Sequence, residues 1–163
     1  MDRVAARMIT RHDVSNALAK FSRQTDLGEL SLGPDDVVSA EFGDEGVVAI
    51  CFDEKVGCVR LLSPVGQLEP SMPIARRAAL LRQTLAFNIE NMSCLGMEHD
   101  AGVFLLTLQI WSLDGFVEQV SDFGRQSIGV SDWLENFDAD EVAYAEDGGS
   151  LPSNETGAVV LKP

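Results

Sequence analysis

Residues 73–110 read PIARRAALLRQTLAFNIENMSCLGMEHDAGVFLLTLQI. Pro73 suits the first position of a helix, where its missing N–H is no loss. From there to about Met92 the chain has no glycine and no further proline, so a helix is expected over this span. One apolar stripe runs Ile74, Ala78, Leu81, Leu85, Ile89 and Met92 at spacings of three and four. A second runs Leu80, Thr84 and Phe87. A helix covering a single core needs one stripe about 100° wide; two stripes predict a second apolar neighbour. Cys94-Leu95-Gly96-Met97 then reads as a short strand, Asp100-Ala101-Gly102 as a hairpin turn with Gly102 free to take positive φ, and Val103 to Trp111 as a longer strand. That strand is apolar at both parities, Val103 and Leu105 on one side and Phe104, Leu106, Leu108 and Ile110 on the other. A strand with one wet face would alternate, so cover on both faces is expected.

Thr10 is placed to cap a first helix, with Asp13 as its acidic partner three residues on. Val14, Ala17, Leu18 and Phe21 share one face, and Leu27-Gly28 marks a stop. Three strands follow, Val37–Phe42, Val47–Phe52 and Cys58–Ser63, joined by turns rich in acids and glycine, which is the pattern of an antiparallel meander. Past Trp111, the spacing of Leu113, Phe116, Val117, Val120 and Phe123 is helical. Gly124 and Gly129 loosen it and Ser131 looks like a fresh cap, so one broken helix or two short ones are expected. From Asp138 the apolar content falls. The fold class is therefore α+β: helix, three-strand antiparallel meander, helix, two-strand hairpin, C-terminal helix. One domain over 1–139 and an acidic, mostly disordered tail over 140–163 are expected.

The chain of 163 residues carries a formal net charge of −14. Phosphate binding needs a basic face, so nucleic acid is disfavoured, as are anionic membranes. A basic partner, or plain solubility, fits better. The charge is uneven. Arg3, Arg7, Arg11, Lys20 and Arg23 outnumber Asp2 and Asp13 at the start, whereas from Asp132 onward eight acids face Lys162 alone. Cys51, Cys58 and Cys94 form no C-x-x-C pair and read as core thiols of a reducing compartment. No apolar run approaches a membrane span, and the basic start lacks an apolar signal region; a cytoplasmic location is expected.

The order of elements, the Leu27-Gly28 ending, the Asp44-Glu45-Gly46 hairpin, Phe52-Asp53, Leu61-Leu62, Val65-Gly66-Gln67-Leu68, Leu95-Gly96-Met97 and Asp100-Ala101-Gly102 together resemble the type III secretion chaperones of the Tir-chaperone family. The resemblance covers roughly residues 11–137. It implies a small acidic homodimer of the bacterial cytosol that binds an extended N-terminal segment of a secreted effector and keeps it soluble and ready for export. It also implies contact with the secretion ATPase or sorting apparatus, and no cofactor or metal. Candidate effector contacts are Val14, Leu18 and Phe21 on the first helix, with Val38, Ala40, Phe42, Val48, Ile50 and Phe52 on the first two strands; both strand parities stay open as the binding face, and plain core is the competing reading for each residue. Leu80, Thr84 and Phe87, with Val103 and Leu105, are expected near a dimer axis.

No catalytic signature is found: no H-E-x-x-H, P-loop or Rossmann glycine pattern. The acids of Asp35-Asp36, Asp44-Glu45 and Asp138-Asp140-Glu141 read as solvated turns rather than a cation site. The alternative function is a small α+β enzyme or ligand-binding domain using Cys94 and His99; His99, against it, reads as a solvated turn residue.

Overall fold

The computed structural model describes residues 8–43, 46–98 and 100–137. The expected tail over 140–163, the Asp44-Glu45 turn and His99 lie outside those residues. In chain order the elements are α1 (Arg11–Gln24), β1 (Val37–Phe42), β2 (Gly46–Asp53), β3 (Cys58–Gln67), α2 (Ile74–Glu90), β4 (Cys94–Met97), β5 (Val103–Ile110) and α3 (Phe116–Glu135). The strands form one five-stranded sheet in the order β1-β2-β3-β5-β4. The pairs β1–β2, β2–β3 and β4–β5 are antiparallel. The expected α+β architecture is what the chain adopts. It divides into two compact units, one of described residues up to Leu62 with 108–124, the other of 63–107 with the described residues from Arg125.

In the first unit, α1 starts where its cap dictates. The Asp13 amide donates to Thr10 Oγ1 at 3.2 Å, and the Thr10 amide donates back to Asp13 Oδ2 at 3.0 Å. This reciprocal box satisfies two backbone donors that the first turn would leave unpaired. Val14, Leu18 and Phe21 are fully buried on the inner stripe. Phe21 packs against Phe42 of β1 and edge-on against Phe116, each at 6.5 Å between centroids. Arg11 holds the following loop, with its guanidinium 2.6 Å from Asp36 Oδ1 and donating to the Gly33 carbonyl at 2.9 Å. Asp36 sits there at φ 60°, a left-handed conformation that Asp tolerates better than most residues.

Two boundaries differ from the sequence reading. β3 runs on past Ser63 to Gln67, through Pro64. Its register with β2 ends at Leu62, so the N–H that proline lacks removes no bond from that ladder. And α3 is one continuous helix of 20 residues, not two pieces. The reason lies at Gly124. A Cβ built there would come within 2.7 Å of the Phe42 ring, so this glycine is the space into which the ring packs, and it does not break the helix.

In the second unit, α2 ends at Glu90, and Asn88 near that end grips β4. Its Nδ2 donates to the Leu95 carbonyl at 2.9 Å while its Oδ1 accepts from the Leu95 amide at 2.6 Å. The β4–β5 turn closes with Gly102 at φ 65°, as expected, and the Glu98 carboxylate accepts from the Asp100 and Ala101 amides. Arg76 donates to the Phe137 carbonyl at 2.5 Å, and Ser93 Oγ donates to Gln126 Oε1 at 2.8 Å.

Candidate functional site

The strand register sorts the candidate contacts of the first unit. Val38 lies opposite Ile50, Ala40 opposite Val48, and Phe42 opposite Gly46. Because side chains alternate across a strand, Val38, Ala40, Phe42, Val48, Ile50 and Phe52 share one face. That is the face on which Phe21 of α1 meets Phe42. Ala40, Val48, Ile50 and Phe52 are buried there, as are Val14, Leu18 and Phe21 on the helix. Only Val38 and Phe42 remain half-buried. Most of this set is core of the chain itself, drawn in because helix and strands bury each other's apolar faces.

The opposite parity is the open one. Val37 faces Cys51 across the β1–β2 pair, and Ala49 faces Leu62 across β2–β3. All four are half-buried, and Val47, opposite Glu41, is exposed. Arg60, opposite Cys51, is also exposed and pairs with Asp53 at 2.8 Å. The result is an accessible apolar strip with charged margins on a sheet whose outer strand, β1, is paired on one side only. Sequence reasoning passed over these residues, although the apolar content of both parities was the available signal. Burial, with Asp35 nearby as a second cause, pushes the Cys51 thiol above its ordinary range, against a smaller opposing pull from Arg60.

A groove of about 220 Å³ is lined by Asn16, Ala17 and Lys20 of α1 with Leu113, Phe116 and Val117. Its floor is apolar and its helix rim polar. It lies beside the inner stripe that the 3–4 spacing picked out.

In the second unit the two stripes of α2 differ in burial. Leu80, Thr84 and Phe87 are buried, with Thr84 Oγ1 donating to the Leu80 carbonyl at 2.9 Å. In a single copy these side chains are part of the chain's own interior. The exposed stripe is the other one: Ile74 at 86%, Leu81, Leu85 at 62%, Ile89 and Met92 at 92% exposure. Four large apolar side chains in line on one helix, with Met92 just past its end, exceed the scattered exposure normal for a surface. Val103 and Leu105 of β5 are half-buried.

The cysteines differ from one another. Cys58 is buried as expected, Cys51 half-buried, and Cys94 exposed on β4 rather than a core thiol. Among the described residues no cluster of three His, Cys, Asp or Glu side chains could hold a metal ion. Among the same residues no helix is long and apolar enough to cross a membrane.

The sequence matches no family model, and no curated protein matches it. The fold does have counterparts among solved structures. A chain of the HopA1–SchA chaperone–effector complex matches 75% of this chain and 90% of its own length, with TM-score 0.55 and 14% identity. A chain of the ExsC–ExsE complex matches over 90% of this chain and 100% of its own, with TM-score 0.56 and 18% identity. A chain of the complex between the Yersinia pestis type III secretion chaperone SycH and a stable fragment of YscM2 matches over 71% and 98%, with TM-score 0.55 and 14% identity. At such identities the likeness is one of fold.

Proposed function

We propose that the protein is a type III secretion chaperone that binds an extended segment of a secreted effector in the bacterial cytosol. The observation that carries this reading is the accessible apolar strip of Val37, Val47, Ala49, Cys51 and Leu62 beside an edge strand, in a fold shared with chains of chaperone–effector complexes. An extended chain can add backbone hydrogen bonds along an unpaired strand edge while its alternate side chains seat on apolar surface. A segment held that way stays out of its own fold, and so stays soluble and ready for export.

The two ends of the sheet are unequal in this respect. On β4 the amide and carbonyl of Leu95 are already taken by Asn88. On β1 the Val37 carbonyl accepts from the Gly33 amide at 2.9 Å, so the segment would pair along the rest of β1, beside the apolar strip. Val38 and Phe42, half-buried on the other face of β1, flank it. Affinity should rest on burial: a buried Phe or Leu anchor is worth about 1.5–3 kcal/mol, an exposed ion pair about 0–1. The net charge of −14 would act on the encounter rate with a basic segment, a contribution that salt weakens.

The chaperone acts as a homodimer in this reading, with the two copies meeting through Ile74, Leu81, Leu85 and Ile89 of α2 and Met92 just beyond it. A stable interface buries about 1,600 Å² in total, and a five-residue apolar ridge is a fitting centre for one.

The experiment is capture of the tagged full chain from a cytosol with an active type III system, followed by hydrogen exchange on the captured complex. Amide protection over Val37–Phe42 is the expected result. Unchanged exchange in β1, or a partner bound only as a folded globule, would overturn the reading.

A further inference from the structure

The open part of the β1 edge is shorter than the strand, and the backbone shows where it lies. The Phe52 amide donates to the Asp36 carbonyl at 2.9 Å, one step beyond the Val37–Cys51 pair. Hydrogen-bonded pairs alternate along an antiparallel ladder. The amides and carbonyls of Val38, Ala40 and Phe42 therefore point to β2, and those of Val37, Ser39 and Glu41 point outward. The bond between the Gly33 amide and the Val37 carbonyl agrees with this phase, since Gly33 lies outside the sheet. It also closes the edge at Val37. At the other end Gly43, at φ 63°, turns the chain out of the strand. Between these limits Ser39 and Glu41 each offer an amide and a carbonyl together. Two such positions and their flanks hold about five residues of an added strand, roughly 17 Å.

The outward residues carry their side chains on the open face, because both alternate with period two. On that face Ser39 stands opposite Ala49, Ala49 opposite Leu62, and Glu41 opposite Val47. A segment laid along the edge adds one residue to the end of each row. Beside Ser39 it meets two small side chains with half-buried Leu62 beyond them, which leaves room for a large apolar residue to lean inward. Beside Glu41 it meets an exposed carboxylate. Among the described residues no arginine or lysine pairs with that carboxylate. Opposite charges facing each other across a strand pair are favourable, and like charges are unfavourable.

We infer that Glu41 sets the specificity of this edge: the segment that β1 accepts carries a lysine or arginine opposite Glu41 and a large apolar residue opposite Ser39, two positions away on the same face. The inference rests on the proposed function and gives its partner a sequence pattern. It makes the preference for a basic partner a property of one place on the chain rather than of the net charge of −14.

The probe is a display library of random seven-residue segments, selected on the immobilised full chain. Selected segments are made as peptides, and those that protect the Ser39 and Glu41 amides from hydrogen exchange are kept. The expected pattern is a basic residue two positions from a large apolar one, its order along the segment reporting strand direction. Replacing that basic residue by glutamate should weaken binding about tenfold, an attraction lost and a repulsion gained at one cross-strand pair. Glu41→Lys, with folding checked by circular dichroism, should reverse the preference, and Glu41→Gln should bring the two peptides within about threefold of each other. Glu54→Lys makes the same change of net charge at an exposed position in the β2–β3 turn and should leave the tenfold preference standing. If peptides protect β1 but Glu41→Lys does not reverse their preference, or Glu54→Lys reverses it equally, the inference is overturned while the proposed function stands. If no peptide protects β1, both fall.

Discussion

Leu80 and Leu85 are one and a half turns apart on α2, and truncating each separates the two stripes. Leu80 is 3% exposed and Leu85 62% exposed. Leu80→Ala opens a cavity in the chain's own interior and should cost about 2–5 kcal/mol of folding stability. Leu85→Ala leaves the isolated chain within about 0.5 kcal/mol of wild type, as surface changes do. Its effect belongs to association. Fully burying a leucine is worth about 1.5–3 kcal/mol, so covering the part of Leu85 that a single copy leaves in water is worth about 1–2 kcal/mol. A two-fold interface uses each residue twice, which doubles this to about 2–4 kcal/mol for the dimer. The dissociation constant should rise from about 30-fold to several hundred-fold. Sedimentation velocity over a dilution series reads the association, and urea unfolding at fixed concentration reads the fold. Because a dimer is stabilised by mass action, any loss of melting temperature in Leu85→Ala should shrink as the protein is diluted, whereas that in Leu80→Ala should not. If Leu85→Ala associates like wild type, or if Leu80→Ala abolishes association without lowering the urea midpoint, the exposed stripe of α2 is not the dimer surface.

Gly124→Ala should lower stability by up to about 2 kcal/mol, since an overpacking cost of about 1–3 is set against about 1 kcal/mol of helix propensity; with Phe42→Ala already present the same change should stabilise, and a double-mutant cycle by urea unfolding checks the sign. Thr10→Ala removes half of the capping box and should cost about 0.5–2 kcal/mol, read as a lower thermal midpoint. Phe21→Asp and Leu18→Asp, both at fully buried positions, should unfold the first unit rather than weaken a complex selectively, with near-ultraviolet circular dichroism as the measurement. Iodoacetamide should label exposed Cys94 first and buried Cys58 last. Because the folded Cys51 thiol is held above its ordinary range, its thiolate forms only at higher pH, so its labelling in the native chain should set in at more alkaline pH than after denaturation.

Much of the architecture was written in local chemistry. Thr10 and Asp13 announce a helix start through a bond that spans three residues. Gly102 announces a turn through its own backbone freedom. Signals of that kind need no knowledge of the rest of the chain. The two stripes of α2 are different. Ile74, Leu81, Leu85 and Ile89 are as apolar as Leu80 and Phe87, and periodicity finds both rows without saying which one turns inward. That depends on what lies beneath the helix, which no window of sequence contains. The same limit explains the sheet. Val38 and Val37 are the same residue type one position apart, and the helices that meet β1, α1 through Phe21 and α3 at Gly124, decide which parity becomes core. Gly124 shows the reverse error: read locally it interrupts a helix, yet the Phe42 ring, far away in sequence, needs that missing side chain.

The grip of Asn88 on Leu95 has a consequence for growth by copies. A sheet with two bare edges can add copies at both ends without limit, which is the geometry of a fibre. Here the amide and carbonyl of Leu95 on β4 are taken by the Asn88 side chain, which shortens the edge that β4 offers to a further strand. With the β1 edge given to the effector segment and α2 to a second copy, further growth through the sheet would have to start from β4. A pairing of like with like closes on itself. Asn88→Ala would uncap the far edge, and turbidity on prolonged incubation at high concentration would report whether association then passes beyond two.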